Sequence, residues 1–176
     1  MNTVTNTTQK ISSAKTSIAT VNKIYKLLPE MGYKPKTRIL DFGCGSYDLN
    51  QKEAEKYGYT WLGYDPYNRS EAENKLTLDC LAYADPHVIV CSNVLNVIAE
   101  DGILMNVLNQ IYNYAGNDTD IYITIYEGDK SGVGKETTKG YQRNEKLNNY
   151  IWYISEWFDV EKVKGCSNIL KCRKVV

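Results

Sequence analysis

Apolar positions along the chain switch between two spacings. Ile18, Val21, Ile24, Tyr25 and Leu28 recur at helical intervals and predict a helix from Ile11 to about Met31, closed by Gly32 and a Lys34-Pro35-Lys36 turn. Residues 1–10 are polar and are expected to fray. Thr37–Phe42 reads as a short buried strand stopped by Gly43-Cys44-Gly45. Asp48–Tyr57 has helical composition, and Thr60–Tyr64 is a second strand ending at Asp65-Pro66. A third strand is expected at Lys75–Asp79. Val88–Cys91 is a continuous apolar run suited to a central parallel strand. Ile103, Leu104, Val107, Leu108, Ile111 and Tyr112 mark one face of a helix, and Asp120–Tyr126 is rich in strand formers. A glycine-containing loop from Glu127 to Gly140 precedes a helical stretch, Tyr141–Phe158. Two strands close the chain, around Val160–Lys164 and Asn168–Arg173.

This order alternates strand and helix, then ends in two strands joined by the tight Gly165-Cys166-Ser167 link. Alternation predicts a single α/β domain over residues 1–176, with a parallel sheet between helical layers. The tight link predicts that the last two strands pair antiparallel.

Composition narrows the class. With 43% hydrophobic and 24% charged residues, the chain has the make-up of a globular domain. No apolar run is long enough to span a membrane, and MNTVTNTTQK has no apolar centre, so neither a membrane span nor a secretory signal is expected. The five cysteines form no CxxC and there is one histidine. No metal site or disulfide framework is therefore expected, and a cytoplasmic location is the default. Net charge is zero but unevenly spread. Residues 1–40 hold seven Lys/Arg against one Glu, residues 41–129 four against fifteen acids, and residues 130–176 ten against five. The fifteen tyrosines accompany sixteen asparagines, as an AT-rich coding sequence would give, so they carry no argument for base stacking.

The sharpest chemical signal is Ile39-Leu40-Asp41-Phe42-Gly43-Cys44-Gly45, with Asp65 ending the next strand. A buried strand running into a turn without side chains lets a ligand approach the backbone, and a carboxylate on the neighbouring strand can accept hydrogen bonds from ribose hydroxyls. A dinucleotide site needs GxGxxG, whereas Asp48 stands at the third position and would repel a diphosphate. Asp41 suits a ligand ending in a cationic amino acid.

These residues resemble motif I of class I S-adenosylmethionine (SAM)-dependent methyltransferases. Val88 to Ile98 resembles that family's fourth strand and following turn, and Leu76–Leu81 its third-strand segment. The resemblance covers roughly Arg38 to Tyr126. It implies a Rossmann-like α/β/α sandwich with a mostly parallel seven-stranded sheet and an antiparallel C-terminal strand. By the same resemblance Asp41, Gly43 and Gly45 would line the methionine part of SAM, Asp65 would hold the ribose, and Asp79 and Cys80 would face the adenine. Ser92 and Asn93 would lie near the sulfonium and the methyl acceptor, Ser92 as part of the cofactor site. The chain departs from the pattern at Tyr47, where the family has a third glycine, and at His87, where an Asp often opens the fourth strand.

The acceptor is less legible. The (D/N)PP(Y/F) motif of exocyclic-amine methylation is absent, since Ser92-Asn93-Val94-Leu95 stands in its place. A Pro-Cys nucleophile is absent as well. Asn93, with both donor and acceptor groups, is the candidate acceptor-side contact. The loop at 127–141 and the helical cap at 11–36 are expected above the carboxyl ends of the strands. Lys130, Lys135, Lys139 and Arg143 would then offer contacts to an anionic acceptor such as DNA or RNA. Gly134-Lys135 fails as a P-loop, because Asp129 and Glu136 occupy its other required positions. The loop together with motif I also resembles small stand-alone methyltransferases of phage and mobile elements. A small-molecule or protein side-chain acceptor, a non-catalytic SAM-binding module and an NAD-binding variant of the fold remain alternatives.

Overall fold

The computed structural model describes residues 17–138 and 140–175. Its elements in chain order are α1 (Lys23–Leu27), β1 (Arg38–Phe42), α2 (Leu49–Lys56), β2 (Thr60–Tyr64), α3 (Glu71–Leu81), β3 (Val88–Ser92), α4 (Asp101–Tyr114), β4 (Asp120–Thr124), β5 (Lys135–Thr137), β6 (Gly140–Gln142), α5 (Leu147–Ile154), β7 (Phe158–Lys162) and β8 (Ile169–Lys174). A six-stranded sheet runs β2-β1-β3-β4-β8-β7, and β5 and β6 form a separate hairpin. The first four strands are parallel, while β8 pairs antiparallel with both β4 and β7.

Alternation along the strands builds two cores. Leu40, Ile89, Cys91, Ile121 and Ile123 face α4 and α5, packing on Leu104, Leu108, Ile111, Tyr150 and Ile154. Ile39, Val88, Val90 and Tyr122 face the other way, against Ile24, Tyr25 and Leu28 of the α1 region and Ala54 of α2. The sheet is therefore covered on both faces, as continuous apolar strands require.

Two expectations are corrected. The sheet has six strands rather than seven, because the segment expected as a third strand is part of α3. Ser70 Oγ accepts the Glu73 amide and Glu73 Oε2 accepts the Ser70 amide, a reciprocal cap that starts the helix. The following Glu-Ala-Glu-Asn-Lys-Leu run favours helix over strand. α3 then covers the β2 edge where a third strand would lie. Thr77 Oγ1 donates to Gly63 O at 2.7 Å, and the Asn74 side chain both accepts from Asp65 N and donates to Asp65 O. The long N-terminal helix is also shorter among the described residues. Its Ile11–Thr16 part lies outside them, residues 17–22 are irregular, and Asn22 caps α1 by accepting the Ile24 amide. The expected fraying of residues 1–10 lies outside the described residues too. No helix among the described residues is long and apolar enough to cross a membrane.

Thr77→Val should cost about 1–3 kcal/mol, the penalty for stranding the Gly63 carbonyl, and Ser70→Ala about 1 kcal/mol for the lost cap. Urea unfolding checks both; unchanged midpoints would mean that α3 contributes nothing at this edge.

Candidate functional site

β1 is flanked by β2 on one side and β3 on the other, and the helices that follow β1 and β3 lie on opposite faces of the sheet. The carboxyl ends of these strands therefore part at a topological switch point, where open α/β sheets form ligand crevices. A crevice of about 1720 Å³ opens there. Its floor is Asp41 to Gly45, Tyr64, Asp65, Ser92 and Asn93. One wall is the irregular segment 17–22, and another is the β5–β6 hairpin with Tyr141 and Gln142. Single-ligand pockets typically measure about 300–1,000 Å³, so this crevice is larger than one such ligand needs.

The turn after β1 is held by its neighbours. The Gly43 and Cys44 amides both donate to Tyr64 O, at 2.8 and 3.3 Å. Gly43 and Gly45 adopt φ of +75° and +72°, the left-handed region that favours glycine. A Cβ on Gly43 would lie 2.4 Å from Val94 Cγ2, and one on Gly45 would lie 2.9 Å from Ser17 Oγ. The turn is bare partly because Val94 and the 17–22 segment press on it. Ser17 Oγ also accepts the Ser46 amide at 2.9 Å.

Asp41 is almost fully buried and its Oδ2 accepts three donors: Tyr25 Oη at 2.8 Å, Asn50 Nδ2 at 3.0 Å and Trp61 Nε1 at 3.2 Å. Burial pushes its carboxyl above the ordinary range, and these hydrogen bonds pull it partly back. Asp65 lies at the crevice as expected but is only 5% exposed. Its Oδ2 accepts from Gly45 N and Asn68 Nδ2, and its Oδ1 from the Tyr67 and Asn68 amides. Four donors fill the capacity of a carboxylate, so a ribose hydroxyl would have to replace one of them. The Cys44 thiol is pushed up to about 12, first by burial and then by Asp41, so it stays protonated at neutral pH.

At the carboxyl ends of β3 and β4, Ser92 Oγ and Thr124 Oγ1 are paired at 2.6 Å. Asn93 takes φ +56° and donates its amide to Thr124 O at 2.9 Å. Thr124, Asn96 and Gln142 are lining residues that no sequence motif signalled. Asn96 and Gln142 form a relay: Gln142 Nε2 donates to Tyr126 O at 2.8 Å and Asn96 Nδ2 donates to Gln142 Oε1 at 3.0 Å, fastening the hairpin over the crevice.

Several expected site residues lie elsewhere. Asp79 and Cys80 are exposed on α3, where Asp79 pairs with Lys75 at 2.6 Å, and neither lines the crevice. The physical reason is the helical cap that removes the third strand. Arg143 is buried and cannot be a loop contact. Its guanidinium donates to Asp101 Oδ1 at 2.5 Å, to Glu145 Oε1 at 3.0 Å and to Ile98 O at 3.0 Å, clamping the end of the hairpin to the start of α4. Lys130 pairs with Glu127 and Lys135 with Asp129, each at 2.9 Å. Lys135 lines the crevice, and Lys139 lies outside the described residues.

No protein-family model matches the chain, and no curated protein matches it by sequence. Solved structures do resemble it. A TehB-like SAM-dependent methyltransferase from Corynebacterium glutamicum aligns with 20% identity over 86% of each chain, at a TM-score of 0.52. The sugar N-methyltransferase KedS8 from a Streptoalloteichus species aligns with 10% identity over 87% of this chain and 85% of its own, at 0.57. The N-methyltransferase NodS from Bradyrhizobium japonicum, in complex with S-adenosylhomocysteine (SAH), aligns with 11% identity over 87% and 85%, at 0.53. The chain thus has the Rossmann-like α/β/α fold of these proteins, with a mostly parallel sheet and an antiparallel C-terminal strand.

Arg143→Met should lower stability by about 1–3 kcal/mol, because it strands the buried Ile98 carbonyl and breaks two ion pairs, while Lys130→Met should stay within about 0.5 kcal/mol. Arg143 also holds the Asp101 carboxyl below its ordinary range. That stabilisation is complete above the unfolded-state value of about 4 and is lost as pH falls through the lower folded-state value. Thermal melts should accordingly show the gap between wild type and Arg143→Met narrowing in acid. Equal losses for both variants would undo the clamp assignment.

Proposed function

We propose that this protein is a SAM-dependent methyltransferase whose acceptor is a small polar molecule, uncharged or cationic, rather than a nucleic acid. The observation that carries the reading is the crevice at the β1/β3 switch point. It combines the Gly43–Gly45 turn, Asp41 and Asp65 at the donor end with a roomy acceptor end. The fold likeness to SAM-dependent methyltransferases supports it, and so does the sugar N-methyltransferase among those neighbours.

The residues fit the group they would hold. Gly43, Cys44 and Gly45 present backbone to its amino-acid end, with Asp41 behind them. Asp65 stands at the ribose position, and Val94 and Tyr67 supply lining beyond it. When bound, SAM supplies a methyl group already activated by a sulfonium. The chain's task is then alignment, which for well-oriented reactants contributes about 7–11 kcal/mol. Ser92, Thr124 and Asn93 offer short, fixed polar groups with which to orient an acceptor. The hairpin and the 17–22 segment wall the crevice, and water-poor surroundings would favour charge loss at the sulfonium.

The acceptor class follows from charge. Among the described residues, the cations lining the crevice are Lys23 and Lys135, and Lys135 is already paired with Asp129. Asn93, Asn96, Asn106, Gln110 and Gln142 dominate the acceptor end. Phosphate binding needs free cations, whereas amides suit hydroxyls and amines.

Calorimetry should detect binding of both SAM and SAH to the wild-type protein. Incubation with SAM and a fractionated metabolite extract should release SAH, whereas DNA and RNA fragments should not. No binding of either compound would sink the reading. Binding without turnover on any fraction would leave a SAM-binding module, and turnover on nucleic acid that weakens steeply with salt would restore the anionic acceptor.

A further inference from the structure

The turn after β1 has no glycine beyond Gly45 and continues as Ser46-Tyr47-Asp48. Something else must hold this loop. Arg69, in the connection between β2 and α3, reaches back across 24 residues to do so. Its Nε donates to Gly45 O at 2.8 Å, Nη2 to Tyr47 O at 3.1 Å and Nη1 to Asp48 Oδ1 at 2.7 Å. The guanidinium lies over the Trp61 ring at 5.5 Å, and its side chain is only 9% exposed. Trp61 in turn donates to Asp41, and Asp65 takes the Gly45 amide at 2.9 Å. Gly45 is therefore fixed on both sides, its N–H by Asp65 and its C=O by Arg69. Only a planar fork with several fixed donors can bind two carbonyls and a carboxylate in this way.

We infer that Arg69 is a positioning residue for the methyl donor, setting the 45–48 turn in the shape that receives the donor's amino-acid end. It acts from behind the turn and does not line the crevice. The inference rests on the methyltransferase reading above.

The test is the dissociation constant of SAH, read by calorimetry on the full chain well below each variant's melting temperature. Arg69→Met and Arg69→Lys should each weaken SAH at least tenfold, since a lysine keeps the charge but not the fork. Asp48→Asn, at a half-exposed position outside the core, should weaken it severalfold and keeps the test open if Arg69→Met fails to fold. Millimolar methylguanidinium should restore part of the affinity to Arg69→Ala, which a general loss of stability would not allow. Wild-type affinity in folded Arg69→Met or in Asp48→Asn overturns the inference alone, and wild-type affinity in Arg69→Lys replaces the fork by simple charge. Failure of the wild-type protein to bind SAH overturns the methyltransferase reading and this inference with it.

Discussion

The arrangement depends on one buried carboxylate. Asp41, one residue before the end of β1, lies on the sheet face covered by α1 and α2, and a lone carboxylate there would be costly. Tyr25 from α1, Asn50 from α2 and Trp61 from β2 converge on its Oδ2. Each donor comes from a different element, so the carboxylate fixes how three elements meet beside the turn. Asn50 extends the bond outward by accepting the Asn22 amide at 2.9 Å, which ties in the segment that walls the crevice. The turn between Phe42 and Asp48 is then built on a base that cannot shift without breaking several buried hydrogen bonds.

The opposite wall uses different means. Glu127 Oε1 accepts the Leu147 amide at 2.7 Å, so the residue leaving the sheet at β4 also caps α5. The buried Asn144, at φ +59°, accepts the Gly132 amide on its carbonyl and donates its side chain to Val133 O, both at 2.9 Å. Arg143 beside it reaches α4. A segment that reads as a loose, basic loop is consequently a hairpin held at its base, and among its described residues Lys130, Lys135 and Arg143 pair with acids of the chain itself.

How much was legible depends on how far each feature reaches along the chain. Four strands, three helices and the closing antiparallel pair follow from hydrophobic spacing, which is a local property. The Gly43–Gly45 turn and the acids at Asp41 and Asp65 are equally visible, because they stand at strand ends. The seventh strand was the error. Leu76-Thr77-Leu78 carries strand-like residues, and a family pattern favours a strand there, yet Ser70 and Glu73 spell a helix start a few residues earlier. Local capping outweighed the pattern, and the edge of β2 accepted a helix because Thr77 and Asn74 could satisfy its backbone.

By itself, then, the amino-acid order determined an alternating α/β sheet with a side-chain-free bend between two acids. These are decided by neighbours within a few residues. Only the tertiary structure decided what each charged group is free to do. Asp65 is filled by the Gly45 amide and by donors of Tyr67 and Asn68, Arg143 is buried between α4 and the hairpin, Arg69 grips the turn after β1, and Val94 explains why Gly43 has no side chain. Each outcome turns on atoms from distant parts of the chain competing for the same hydrogen bonds and the same space, and that competition exists only once the sheet has formed.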